Sequence, residues 1–162
     1  RDLLEFSRVG RNPVFDKVDC NKVLKELLDE MDTAVQESGA IIKTTQLPVV
    51  RGIEIELKRL FQNLISNSIK FRKRNVAPEI NISVTEKEQE YLFSVQDNGI
   101  GIDEKFKSKL FVIFQRLPNA SEYPGTGIGL ATAKKIVNLH NGKIWIESKL
   151  NEGSTFYFTI HK

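Results

Sequence analysis

One change of period constrains this chain more than any other feature. Over residues 53–74 the apolar set Leu57, Leu60, Phe61, Leu64, Ile65 and Ile69 recurs at helical spacing. After Pro78 the period falls to two. Ile80-Asn81-Ile82-Ser83-Val84 and Tyr91-Leu92-Phe93-Ser94-Val95 both alternate, with the polar residues 88–90 between them. A long amphipathic helix and a half-buried hairpin each carry one apolar face, and each needs the other to cover it. The pattern predicts an α+β domain.

The rest of the chain adds similar elements. Residues 2–9 read as the end of a helix, stopped by Gly10 and Pro13. A short strand over 15–18 leads to Asp19. This residue is an N-cap for a helix with Val23, Leu24, Leu27, Leu28, Met31 and Val35 on one face, running to Gly39. A strand is predicted over 41–45, then a turn over 47–50 leading into a second short strand, and a short helix over 104–111. A further helix is predicted over 126–141, with Leu130, Ala133, Ile136, Val137 and His140 on or near one face. A last hairpin pairs 143–147 with 154–160 and turns at Asn151-Glu152-Gly153. The expected architecture is a two-layer α/β sandwich, a mixed, mostly antiparallel sheet of about five strands packed on three helices. Residues 102–123 lack a sustained pattern. So long an irregular stretch inside a domain is a lid or a binding loop.

Composition narrows the classes of function. The 162 residues suffice for one domain with a full core, and 28% charged with 40% hydrophobic residues is ordinary for a soluble globular protein. A net charge of +3 is too small to argue for nucleic acid. The longest basic cluster is Lys70-Phe71-Arg72-Lys73-Arg74, and beyond Lys70 it reads as a solvated helix end that complements the dipole. Cys20 is the one cysteine, so an intrachain disulfide is excluded and a reducing compartment is expected. No apolar run approaches the ~18 residues of a membrane span, and the N-terminus has no signal-peptide pattern. The expected location is cytoplasmic, with any membrane attachment of a parent protein lying in other segments. Because the chain opens on Arg1, it is expected to be a fragment.

Three groups of residues carry chemistry. Asn63 and Asn67 are four apart, so they stand on one helix face, one turn apart. Their carbonyls suit Mg²⁺; capping or hydrogen-bonding amides are the alternative. Asp97-Asn98-Gly99-Ile100-Gly101 closes a strand. A carboxylate there can accept from an exocyclic amino group such as adenine's, and the glycines allow close backbone approach. The same residues are also a plain turn signal. Gly125-Thr126-Gly127-Ile128-Gly129-Leu130 opens a helix, where backbone N–H groups and the helix dipole attract anions. Its spacing is neither the dinucleotide fingerprint nor a P-loop, which leaves a glycine-rich phosphate loop of another kind.

Taken in order, these elements resemble the catalytic and ATP-binding domain of sensor histidine kinases. The N box is Gln62-Asn63-Leu64-Ile65-Ser66-Asn67-Ser68-Ile69-Lys70-Phe71, and the first glycine box spans 97–102. The aromatic box is Leu110-Phe111-Val112-Ile113-Phe114-Gln115-Arg116-Leu117, the second glycine box spans 124–130, and Gly153-Ser154-Thr155-Phe156 matches the last hairpin. The resemblance covers about residues 15–160. It implies a Bergerat-type nucleotide fold, residues 1–14 as the remnant of a dimerisation helix and linker, and residues 15–162 as the catalytic domain.

The resemblance also implies roles. Asn67 would ligate the Mg²⁺ that bridges the ATP phosphates, with Asn63 and Lys70 beside those phosphates. Phe71 would lie against the adenine and Asp97 would accept from its amino group. Gly99 and Gly101 would shape the pocket floor, and Thr155 would reach the adenine through a water. Arg116 would approach the γ-phosphate as a lid closes, with Phe111 and Phe114 as lid anchors. Gly125, Gly127 and Gly129 would let the lid hinge, and Ile102, Thr126 and Leu130 complete the set.

The implied activity is a protein histidine kinase. Its partners are its own dimerisation and phosphoacceptor domain, in a homodimer, and a response regulator. Neither His140 nor His161 has an acceptor box around it, so the acceptor lies outside this chain. Related-fold readings are a serine kinase of the anti-sigma type, or a conformational-switch ATPase like gyrase or the ninety-kilodalton heat-shock chaperone. The last class places Glu four residues before the metal-binding Asn. Here Asn63 holds that position and cannot take a proton from water, so slow intrinsic hydrolysis is expected.

Overall fold

The computed structural model describes residues 1–113 and 127–162. In chain order the elements are α1 (Asp2–Arg8), β1 (Asp16–Asp19), α2 (Cys20–Glu30), α3 (Asp32–Ser38), β2 (Ile41–Thr44), β3 (Val49–Gly52) and α4 (Glu54–Lys70). There follow β4 (Glu79–Glu86), β5 (Glu90–Asp97), a 3-10 helix (Glu104–Lys109), α5 (Gly129–Leu139), β6 (Ile144–Ser148) and β7 (Ser154–His161).

Five strands form one sheet in the order β2-β4-β5-β7-β6. β2 joins β4 in parallel and every other pair is antiparallel, so the sheet is mixed and mostly antiparallel. β1 and β3 make a separate antiparallel pair. Alternation decides which face of the main sheet is covered. Ile80 and Ile82, Phe93 and Val95, and Phe156, Phe158 and Ile160 are buried. They share one core with Leu57, Leu60, Phe61, Leu64 and Ile65 of α4 and with Ala133, Ile136 and Val137 of α5. Phe61 stands edge-on to Phe93 and Phe158, with centroids at 5.9 and 5.7 Å, and those two rings stack at 4.9 Å. The opposite face carries Ser83, Ser94 and the stacked pair Trp145 and Tyr157 in register.

Element ends differ from the sequence reading for physical reasons. The helix expected to run unbroken from Asp19 to Gly39 divides at Met31 (φ −92, ψ 7). Asp29 and Glu30 place negative charge at the end of α2, where it opposes the dipole, and Asp32 suits the start of a new helix. Asp19 does cap α2, accepting from the Asn21 N–H at 3.0 Å.

α4 ends at Lys70, not at residue 74. The Ile100 N–H takes the Phe71 carbonyl at 3.0 Å and draws the chain out of the helix. Arg72 then returns to the helix end from outside, donating to the Ile69 carbonyl at 2.9 Å. α5 starts at Gly129 because Gly127 has φ 77, which no right-handed helix accepts; Thr126 lies outside the described residues.

The N-terminal segment is packed. Val9 is buried in the core, and Lys135 of α5 donates to the Phe6 carbonyl at 2.9 Å with its ammonium 4.7 Å from the Phe6 ring centroid. Among the described residues no helix is long and apolar enough to cross a membrane.

Candidate functional site

α4 supplies one wall. Asn63, Asn67 and Lys70 follow one another at helical spacing and are half-buried, while Leu60, Leu64 and Ile65 turn into the core. The Asn63 amide donates to the Gly129 carbonyl at 3.1 Å, which ties the middle of α4 to the start of α5. Among the described residues the Asn67 amide has no hydrogen-bond partner. Lys70 lies 5.0 Å from the Phe71 ring centroid.

Asp97, the last residue of β5, faces this wall. Its Oδ1 accepts from the Gly99 N–H at 2.9 Å and the Ser154 N–H at 3.2 Å, and its Oδ2 accepts from the Ser68 hydroxyl at 3.0 Å. Burial pushes the Asp97 pKa up, and the three donors offset this only in part. The result is a carboxylate in a fixed orientation, with a lone pair on Oδ2 still able to accept from a ligand amino group.

The loop after β5 is fastened on both sides. A Cβ on Gly99 would stand 2.6 Å from the Phe71 carbonyl, and one on Gly101 (φ 69) would strike the Lys149 carbonyl. Both positions therefore require glycine. Asn98 holds the chain ahead of β4, accepting from the Glu79 N–H at 2.8 Å and donating to the Ala77 carbonyl at 3.2 Å. The Ile102 N–H donates to Ser148 Oγ at 2.8 Å. Phe111 packs edge-on against Phe156 at 6.3 Å.

At the start of α5 the case is reversed. Gly129 is exposed, and a Cβ there would meet nothing within 4 Å among the described residues, so their packing does not account for this glycine. Leu130 beside it is half-buried against the core. Gly129→Ala separates fold from ligand. Alanine gains roughly 0.5–1 kcal/mol of helix stability over glycine. The variant is expected to melt slightly higher without nucleotide and to bind Mg·ATP more weakly, as read by melting curves and calorimetric titration. A variant that binds as tightly as wild type would remove Gly129 from the site.

Thr155 is not brought to Asp97. It pairs with Gln96, and alternation turns it to the sheet face that carries Tyr157. The strand partner of Asp97 is Ser154, one residue earlier, which supplies a backbone donor. Ser154 and Ser68 were not among the expected site residues. Ser68 was detectable: it interrupts the apolar stripe of α4 between Ile65 and Ile69, and a buried hydroxyl needs a partner. Arg116, Gly125 and Thr126, together with Phe114, lie outside the described residues, as do residues 114–123 of the lid expected over 102–123.

Similar proteins point to one family. The sequence model of the family described as histidine kinase-, DNA gyrase B-, and HSP90-like ATPase matches residues 52–162. Cyanobacterial phytochrome A of Nostoc sp. is 49% identical over 160 residues, covering 98% of this chain and 21% of that protein. The adaptive-response sensory kinase SasA of Prochlorococcus marinus is 34% identical over 167 residues, covering 99% of this chain and 43% of that protein. The catalytic domain of the histidine kinase ThkA matches with a TM-score of 0.77 at 26% identity, over 92% of this chain and 98% of that one. The chain spans about one fifth of the length of the phytochrome it matches. Fold, motif order and relatives agree: this chain belongs to the histidine kinase-, DNA gyrase B-, and HSP90-like ATPases, as an ATP-binding catalytic domain of the sensor histidine kinase type.

Proposed function

We propose that the chain binds Mg·ATP between α4, the end of β5 and the start of α5, and passes the γ-phosphoryl group to a histidine on an adjoining dimerisation domain. From there the group would move to an aspartate of a response regulator. The observation that carries this reading is the Asp97 carboxylate, fixed by three donors beside the amide face of α4. The name of the Prochlorococcus relative, a sensory kinase, supports it. Within this reading residues 15–162 form the catalytic domain, and residues 1–14 are the remnant of the dimerisation helix and its linker, packed through Phe6 and Val9.

The residues fit a magnesium ion. Asn67 presents a half-buried carboxamide without a partner among the described residues. Among those residues no three His, Cys, Asp or Glu side chains gather, so an ion here would draw its remaining ligands from phosphate and water, as Mg²⁺ does. When bound, the ion would neutralise charge on the phosphates as the phosphoryl group leaves.

The chain's own groups would do the rest. Asp97 would take the adenine amino group, the Phe71 ring would lie along the base, and Lys70 would meet a phosphate. Asn63 would turn its amide from the Gly129 carbonyl toward the phosphates. The Gly129 end of α5 would offer backbone N–H groups. Arg116, Gly125 and Thr126 keep the roles that the family resemblance implies. In the transfer, the γ-phosphorus bond to the bridging oxygen breaks, a phosphorus–nitrogen bond forms on the acceptor imidazole, and ADP leaves. Asn63 cannot act as a base toward water, so hydrolysis without the acceptor would be slow.

The test joins this chain to its natural upstream segment and supplies ATP labelled at the γ-position. The expected product is acid-labile, alkali-stable label on a histidine of that segment. Normal ATP binding without any such label would sink the kinase reading and leave the binding site standing.

A further inference from the structure

His140 is buried at the C-terminal cap of α5 and is hydrogen-bonded at both ring nitrogens. Nδ1 lies 2.8 Å from the Ile136 carbonyl, and Nε2 accepts from the Ile53 N–H at 3.0 Å. The two contacts fix the tautomer: Nδ1 carries the proton and Nε2 the lone pair. Ile53 is the N-cap of α4, 87 residues away in sequence, and its own side chain makes no cap.

In a capping box the residue at the third helical position, here Glu56, reaches back to the N-cap N–H. Glu56 instead closes on Arg59 at 2.7 Å, and His140 takes the N–H that Glu56 leaves. The other end of the same helix pair is joined by Asn63 and Gly129. α4 and α5 are thus antiparallel and pinned at two points about 15 Å apart along α4, which sets both their separation and their tilt.

We propose that His140 is a positioning residue for the nucleotide site, fastening the start of α4 to the end of α5 so that the amide face of α4 stays opposite the glycine turn. The inference rests on the nucleotide-site reading given above. It matters most when a ligand is present, because a nucleotide that draws on the Asn63 amide loosens the other pin. His140 touches no ligand and acts only through the two helices.

The clamp is sensitive to acid. An imidazolium has no lone pair, so protonation would set a second donor against the Ile53 N–H. Burial holds the His140 pKa below its ordinary range, with the Ile136 carbonyl and the charge of Glu56 opposing this in part. Among the described residues Glu56 is the one charge that acts on the ring. Phe15, ahead of β1, lies edge-on at 5.5 Å, β3 presents Gly52, and His161 of β7 reaches only the His140 carbonyl, through its backbone N–H. Because the folded value lies below the unfolded one, the contribution is present above about pH 6.5 and is lost as pH falls through the folded value.

Calorimetric titration with Mg·ATP of wild type, His140→Gln and His140→Leu, at about pH 8 and about pH 5.5, tests this. Glutamine can accept from Ile53 and donate to Ile136 without titrating, so its affinity at the higher pH should come within about threefold of wild type, while leucine falls about tenfold. As pH falls through the folded value of His140, wild type should lose affinity that the glutamine variant keeps. Titration of ATP itself is common to both and cancels in that comparison. Amide exchange at Ile53 should be faster in the leucine variant.

Wild type that does not bind Mg·ATP at the higher pH overturns the nucleotide site, and the positioning role with it. A folded leucine variant that binds like wild type, or a glutamine variant that binds no better than a folded leucine one, overturns the positioning role alone. If the leucine variant does not fold, the glutamine variant at the higher pH decides: affinity within about threefold of wild type upholds the role, and a loss of about tenfold overturns it.

Discussion

Asp97→Asn is expected to abolish the Mg·ATP-induced rise in melting temperature while the nucleotide-free domain melts at or above wild type near neutral pH. The binding loss follows from the hydrogen-bond directions. The Gly99 and Ser154 N–H groups will hold the asparagine carbonyl oxygen at the Oδ1 position. The amide nitrogen then sits where Oδ2 was, satisfied by Ser68, and presents a donor to the adenine amino group, itself a donor. Losing a charge-assisted bond and gaining that mismatch should weaken affinity by about a hundredfold. The stability gain follows from the raised pKa of Asp97. A carboxyl whose folded pKa exceeds its unfolded pKa stabilises the fold most in acid, and that contribution declines as pH rises through the folded value. Asparagine does not titrate, so the advantage of the variant should shrink toward about pH 4. Melting curves across pH, with and without nucleotide, read both effects. Wild-type binding by the variant would remove Asp97 from the site.

Asn67→Ala should give the second large effect. Its amide is half-buried and without a partner among the described residues, so its removal costs the fold little. If Asn67 is the protein's ligand to magnesium, affinity for ATP in magnesium buffer should fall about ten- to a hundredfold. With a chelator present, wild type and variant should bind ATP equally weakly. Calorimetric titration under the two conditions makes the comparison. An equal deficit with and without the ion would point to a direct phosphate contact instead.

The elements that a sequence shows best are those that solvent and core divide by period. The stripe of α4, the alternation of β4 and β5, and the last hairpin were legible for that reason. Asp97 was legible as a carboxylate at a strand end. What holds it was not: the Gly99 and Ser154 donors are backbone groups, which carry no residue signature, and Ser154 joins it only through strand pairing. The same pairing sets the side on which Thr155 points, which motif matching alone does not decide. Helix ends were least legible. Nothing in Arg72-Lys73-Arg74 forbids a helix, and α4 stops because a distant N–H takes the Phe71 carbonyl. His140 read as an ordinary position on α5 because its partner lies 87 residues earlier.

The strand order has a consequence for how such a domain is made. β7 lies between β5 and β6, yet it is synthesised after both. Until it emerges from the ribosome, the hairpin of β4 and β5 has an open edge, α4 lacks Phe156 and Phe158 to pack against, and Asp97 lacks its Ser154 donor. A nascent chain that stops short of β7 can hold local helices and one hairpin, but neither the core nor the Asp97 carboxylate in its final setting. If nucleotide binds at the proposed site, its capture should wait for the close of translation of this domain.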